Sequence, residues 1–204
     1  MNTFYSQAGQ DQYVLKVLNY KKRGFFLEIG SNHPIHINNT YILENKYEWS
    51  GIMVDNDNSF LELYKKHRSN SKYIINDATK IDYINYLDNM NAPTNIDYLQ
   101  IDLEVVNRST LDCLELLNNS IFDKYKFATI TFEHDIYRGD HYNTREKSRE
   151  IFKNRGYKLV FPDVSNNNNK FEDWYVYPDL VDMTYVNKII TNNSMNYLDI
   201  LKIL

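Results

Sequence analysis

Seven short, mostly apolar runs, at 25–29, 51–54, 72–75, 96–101, 127–132, 157–161 and 172–177, alternate along the chain with stretches of mixed character. A strand with one wet face would alternate apolar and polar residues. These runs hardly do, so they are read as strands covered on both faces, as in a parallel sheet. The intervening stretches carry apolar residues at helical spacing: "DQYVLKVLNY", "NNTYILENKY", "NSFLELYKKH", "IDYINYLDNM", "STLDCLELLNN" and "REKSREIFKNRG". The last gathers cations near its end and closes on Gly156, a suitable C-cap. Strands alternating with helices predict an α/β doubly wound domain, with a mostly parallel sheet and helices on both faces.

Two segments interrupt the alternation. "SNNNNK" (165–170) lies between the last two strand candidates and reads as a hairpin loop, not a domain linker. The tail 183–204 has helical spacing at Met183, Val186, Ile189 and Ile190, an Asn-rich break, then Leu198, Leu201 and Leu204. It is expected to pack on its own domain, with a homodimer contact as the alternative. No internal repeat is visible, and 204 residues suit a single domain spanning 1–204.

Composition narrows the partners. Charged residues make up 25% of the chain and hydrophobic ones 43%, as in a soluble globular protein. The net charge of −4 and pI of about 5.7 offer nothing to neutralise a row of phosphates, which disfavours nucleic acid. Cys113 has no second cysteine to pair with and sits in an amphipathic pattern, so it is expected to be a buried structural thiol. The polar start "MNTFYSQAGQDQY" has no apolar core of a signal peptide and no stretch approaches a membrane span. The expectation is a cytoplasmic protein, in which the Asn-X-Ser/Thr triplets at Asn38, Asn107, Asn118 and Asn192 carry no weight.

The ends of the strand candidates carry the chemistry. Glu28, Asp55, Asp77, Asp102 and Glu133 lie at or just after five successive strand ends. Open parallel sheets bind ligands beyond those ends, so these acids line a crevice. A dinucleotide site needs G-x-G-x-x-G, yet the first turn reads Gly30-Ser31-Asn32-His33-Pro34-Ile35. Two glycines are missing, Pro34 has no N–H to donate, and the acids repel a polyphosphate. A ligand with a ribose, an amino group and a positive charge fits better, and S-adenosylmethionine has all three. On this reading Glu28 and Gly30 meet its methionine end, Asp55 accepts the ribose hydroxyls, and Asp77-Ala78 meets the adenine.

The residues "YSQAGQDQYVLKVL", "FFLEIGSNHPIHINNTYILE", "WSGIMVDND", "DYLQIDLE" and "FEDWYVYP" together resemble the FkbM-like S-adenosylmethionine-dependent methyltransferases, over about residues 4–178. The resemblance implies a Rossmann-like seven-stranded methyltransferase fold and methylation of a hydroxyl, frequently on a sugar or glycan. It implies further that the segment 1–23 folds over the cofactor crevice. Gln7, Asp11, Asn32, Asn39, Thr40 and Asn56 then join Glu28, Gly30, Asp55, Asp77, Ala78 and Asp102 beside the cofactor. Where the family pattern often continues D-x-E with glycine, this chain has Val105.

Methyl transfer to an alcohol needs the hydroxyl positioned and its proton removed. Two stretches can do this: "IDLE", with Asp102 and Glu104, and "FEHD", with Glu133 and His134. Either His134 acts as general base, or Asp102, Glu133 and His134 hold Mg²⁺ or Mn²⁺. His33 and His36 are expected as loop contacts, and 135–146 as an acceptor wall or a solvated loop. The alternatives to a methyltransferase are a non-catalytic cofactor-binding module of the same fold and a nucleotide-dependent oxidoreductase or sugar-modifying enzyme.

Overall fold

The computed structural model describes residues 4–204, so the first three residues of the anticipated 1–23 covering segment lie outside the described residues. Seven strands form one sheet: β1 (Phe25–Ile29), β2 (Ser50–Asp55), β3 (Lys72–Ile75), β4 (Asn95–Ile101), β5 (Lys126–Glu133), β6 (Lys158–Asn166) and β7 (Asn169–Val176). Their spatial order is β3-β2-β1-β4-β5-β7-β6. The parallel expectation holds from β3 across to β5. It ends there, because β7 runs antiparallel to both β5 and β6. The hairpin expected at 165–170 is the cause. Asn167 and Asn168 adopt left-handed φ of 48° and 70°, a two-residue turn that reverses the chain.

Eight helices cover the sheet: α1 (Gln10–Val17), α2 (Tyr41–Tyr47), α3 (Leu61–His67), α4 (Tyr83–Asn89), α5 (Ser109–Ser120), α6 (Thr144–Asn154), α7 (Met183–Ile189) and α8 (Tyr197–Ile203). Alternation along the strands divides the core between two faces. Phe25, Leu27 and Ile29 of β1 face Leu87 of α4, Leu114 and Leu117 of α5 and Phe152 of α6. Phe26 and Met53 face the other way, against Tyr13 and Val14 of α1, Leu43 of α2 and Tyr64 of α3. Cys113 is buried on α5 beside the Tyr83 hydroxyl, and burial pushes its thiol up to about 12, as suits a structural thiol.

The tail packs on its own sheet. Val186, Ile189 and Ile200 are buried, the Ser165 N–H donates to the Met195 carbonyl, and the Tyr185 hydroxyl donates to the Leu204 carbonyl. Leu201 lies so close to Gly9 that a Cβ there would come within 2.6 Å of its side chain. No helix among the described residues is long and apolar enough to cross a membrane.

The loop from 30 to 40 is held by a buried cation that sequence reasoning did not single out. Arg68, after the end of α3, donates from Nε to Glu44 Oε2 (2.8 Å), from Nη1 to the Pro34 carbonyl (3.1 Å) and Asn38 Oδ1 (2.9 Å), and from Nη2 to Thr40 Oγ1 (2.6 Å). Asn38 and Thr40 in turn donate to Glu28 Oε2. Arg68 therefore ties the loop to β1 and α2. Replacing it leaves Glu44 buried without its cation, which typically costs about 3–5 kcal/mol. Arg68→Met is expected to lose stability of that order in urea denaturation, and a loss below about 0.5 kcal/mol, the range of an ordinary surface change, would show that the network is not needed.

Candidate active site

The direction of chain progression reverses between β1 and β4: β1, β2 and β3 step outward one way, β4 and β5 the other. The crevice at such a reversal opens beyond the carboxyl ends of the strands. Here it is a cavity of about 710 Å³ lined by Gln7, Gly30, Asn32, Asn39, Asp55, Asn56, Gln100, Asp102 and Glu133, among others. On the β2–β3 side it continues past Asp55, Asn56 and Leu103 into a space of about 210 Å³ lined by Asp77, Ala78 and Glu104. On the β5–β7 side it continues past Gln7 and Glu133 into a space of about 130 Å³. The three form one groove of a size that takes a small molecule.

Gly30 explains the shape of the turn. Its φ is +81°, and a Cβ at this position would lie 1.7 Å from the Asp102 carbonyl oxygen. Only glycine permits β1 to end this close to β4. The N–H groups of Gly30 and Ser31 both reach the Val54 carbonyl, and the Asp102 N–H reaches the Ile29 carbonyl. Asp55 then fastens the next residues, accepting from the Asn32 N–H at 2.6 Å and the Asp57 N–H at 2.9 Å. Val105 is buried with negative φ, and the left-handed residue in this stretch falls at Arg108 (φ 72°).

The groove is acidic throughout. Asp55, Asp57, Asp77, Asp102, Glu104, Glu133 and Asp135 line it, and among the described residues no Lys or Arg does, although Lys80 pairs with Asp77 and Arg138 with Glu104 and Asp135 at its edge. Asp102 and Glu133 meet through a side-chain hydrogen bond at the centre. Burial pushes both carboxyls up, and the adjacent Asp102 charge drives Glu133 further, so the pair holds on to a proton between them. Asp135 is raised by burial against the opposing pull of Arg138. Behind Glu133, its β7 register partner Glu172 accepts from Gln10 Nε2 at 2.7 Å, and burial raises its carboxyl to about 8.

Gln7, Gly30, Asn32, Asn39, Asp55, Asn56, Asp77, Ala78, Asp102 and Glu133, all expected at the site, line the groove. Three other expected residues, Asp11, Thr40 and Glu28, do not line it, and a fourth, Glu104, lines it away from the carboxyl pair. Asp11 is fully buried and accepts from the N–H groups of Tyr5, Ser6 and Gln12 and from the Ser6 hydroxyl, so it shapes the N-terminal segment. Thr40 is consumed by Glu28 and Arg68. Glu28 is buried beneath the turn, its carboxyl raised to about 7 chiefly by burial; its Oε1 has no partner among the described residues. Glu104 lies on the β2–β3 side, exposed and paired with Arg138 at 3.0 Å, apart from the central carboxyl pair.

His134 requires the largest correction. It directly follows β5, but its ring turns away from Asp102 and Glu133. Its backbone N–H and that of Asp135 both donate to the Phe171 carbonyl. Its Nε2 instead faces Asp163 and Asp173, at 3.6 and 3.5 Å. The anticipated Asp102–Glu133–His134 metal set is therefore not brought together. Nor does the His134–Asp163–Asp173 group suit a divalent ion. Arg149 grips Asp173 at 2.7 Å and Asp163 at 2.9 Å, and Arg145 reaches Asp163 at 3.1 Å, so two guanidiniums balance the two carboxylates. Sequence reasoning missed Gln100, which lies on β4 two residues before Asp102, on the same side of the strand. Period-2 alternation was the signal that would have found it.

No family model and no curated protein matches this chain. Solved structures do. Cofactor-bound Rv0187 from MTB superposes with a TM-score of 0.57 at 10% identity, over 87% of this chain and 83% of that one. A TehB-like SAM-dependent methyltransferase from Corynebacterium glutamicum gives 0.53 at 12%, over 86% and 89%. A putative rRNA-methylase from Clostridium thermocellum gives 0.53 at 12%, over 86% and 97%. The likeness is one of fold. The expected Rossmann-like seven-stranded methyltransferase fold is the one observed.

The buried acids make stability depend on pH in a defined direction. Glu172 releases its proton near 4.5 when unfolded and near 8 when folded. Between those values the unfolded chain has lost the proton while the fold retains it, so this group favours folding less and less as pH rises. Glu172→Gln mimics the protonated form. Measured by urea denaturation, it is expected to match wild type near pH 4.5 and to exceed it above pH 8 by of order 5 kcal/mol. A difference independent of pH would show that Glu172 titrates normally.

Proposed function

We propose that this chain is an S-adenosylmethionine-dependent methyltransferase that methylates a hydroxyl of a sugar or glycan. The observation that carries the reading is the groove at the sheet's reversal point, lined among the described residues by seven acids and no Lys or Arg, with Lys80 and Arg138 at its edge offsetting only three of the seven. Such a lining favours a cationic, phosphate-free ligand and opposes NAD or a nucleic acid backbone. The methyltransferase fold and the FkbM-like motifs support the same choice.

The residues present fit this cofactor. Gly30 lets β1 end against the Asp102 carbonyl and so brings the two strand ends to one opening, and the buried Oδ1 of Asn39 at the groove and Oε1 of Glu28 beneath it lack partners among the described residues. Asp55, held by two backbone N–H groups, keeps lone pairs for the ribose hydroxyls. Asp77 is fixed by Lys80 and Thr79, its carboxyl held down at about 2, first by Lys80, and with Ala78 it forms the adenine end. When bound, the cofactor supplies an electrophilic methyl group. The protein's task is to align an acceptor hydroxyl and take its proton. The Asp102–Glu133 pair does this: Asp102, the ionised partner, accepts the hydroxyl proton while Glu133 holds the pair in register. The reading therefore has the carboxyl pair as the base in place of His134 and of a metal.

Calorimetry is expected to show binding of S-adenosylhomocysteine and none of NAD. Asp55→Ala should weaken the former by roughly 1–3 kcal/mol, the loss of hydrogen bonds to a charged acceptor. With labelled S-adenosylmethionine and a panel of sugars and glycans, Asp102→Asn should lower transfer by on the order of 10²–10⁴-fold with cofactor affinity little changed. Transfer that survives Asp102→Asn would remove the pair as base, and cofactor binding without transfer to any acceptor would favour a non-catalytic module.

A further inference from the structure

We propose that the β6–β7 turn and the facing Tyr137 form the acceptor subsite, and that this subsite takes a neutral, polyhydroxylated ring. The proposal rests on the methyl-transfer reading only for the word acceptor; the site itself stands on its own geometry. The space of about 130 Å³ beyond Glu133 is lined by Gln7, Asp135, Tyr137 and the turn residues Asn166, Asn167 and Asn169. It opens from the groove at the carboxyl pair, on the β5–β7 side, while the space lined by Asp77 and Ala78 opens on the β2–β3 side. The reacting centre thus lies between two separate subsites.

Turn geometry explains asparagine at 167 and 168, whose φ values are left-handed. It does not explain asparagine at 166 and 169. These are register partners at the strand ends, with ordinary φ, and neither side-chain amide has a hydrogen bond within the described residues. Each amide offers donors and an acceptor together, the pattern that neighbouring hydroxyls satisfy. Tyr137, half exposed, presents an aromatic ring suited to the apolar C–H face of a sugar. Among the described residues no Lys or Arg lines the space, and the nearby Arg138 is already paired with Asp135 and Glu104, so a phosphorylated or carboxylated ligand has no unpaired counter-ion there.

The walls are rigid. The His134 and Asp135 N–H groups are pinned to the Phe171 carbonyl at 2.7 and 2.9 Å, Asp135 is held left-handed at φ 45°, and Arg138 links it to Glu104. Segment 135–138 and the hairpin are therefore fixed relative to one another, as a preorganised site requires. This gives the buried His134 a role in position, not in chemistry.

Saturation-transfer NMR with the methyl glycosides of glucose, galactose, mannose and rhamnose, each at millimolar concentration, tests the site in the presence and absence of S-adenosylhomocysteine. At least one glycoside is expected to receive saturation from the wild type. Tyr137→Ala and the double variant Asn166→Ala/Asn169→Ala should each abolish the transfer while leaving S-adenosylhomocysteine affinity, read by calorimetry, unchanged. That affinity also reports that the variants are folded. Absence of transfer from wild type, or its persistence in either variant, overturns the subsite even if the cofactor binds. Glycoside transfer without cofactor binding would uphold the subsite and overturn the methyltransferase reading.

Discussion

The site depends on one steric constraint, the approach of β1 to β4 at Gly30. A Cβ there would fall 1.7 Å from the Asp102 carbonyl oxygen, so the chain leaves β1 through a left-handed glycine directly against the end of β4. The contact places the turn after β1, the Asp55 that fastens it and the Asp102–Glu133 pair around one opening. A larger residue would force the two strand ends apart, and the groove is the space between them. The Arg68 network holds the other side of the turn, fixing Asn38 and Thr40 against Glu28. Backbone sterics and one buried cation together set the cavity floor.

Electrostatics follow from that packing. Removal from water pushes the carboxyls of Glu133, Glu172 and Glu28 up, with burial as the main cause in each case, and neighbouring acids add to it at Glu133 and Glu172. The result is a chain of acids from the sheet interior to the groove, whose mouth stays negative through Asp55, Asp57 and Asp77. Opposite signs reach the lining only at its edge, where Lys80 and Arg138 pair with Asp77, Glu104 and Asp135. Arg138, Arg145 and Arg149 pair with Glu104, Asp135, Asp163 and Asp173, around the groove and not in it. The same ion pairs turn the His134 ring inward.

The sequence by itself determined the strands, the helices and the row of acids, because these are local properties. Apolar run length marked all seven strands, with β6 running five residues past its expected end and β7 beginning three residues before its expected start; helical spacing marked the helices, and "SNNNNK" marked the hairpin. Since strand ends in a parallel sheet face one side, Asp55, Asp77, Asp102 and Glu133 were legible as site residues from position alone. Side-chain direction after a strand end was not. His134 follows Glu133 directly, yet two hydrogen bonds to Phe171, 37 residues further on, rotate it toward Asp173. Asp11 and Thr40 sit in segments that do approach the groove, but distant partners claim their oxygens. Arg68, in a helix end that reads as solvated, is buried by contacts with residues 24 to 34 positions away. Only the tertiary structure decided which polar groups face the ligand and which hold the walls, because hydrogen-bond partners separated by this much chain are chosen by packing and leave no periodic trace in the sequence.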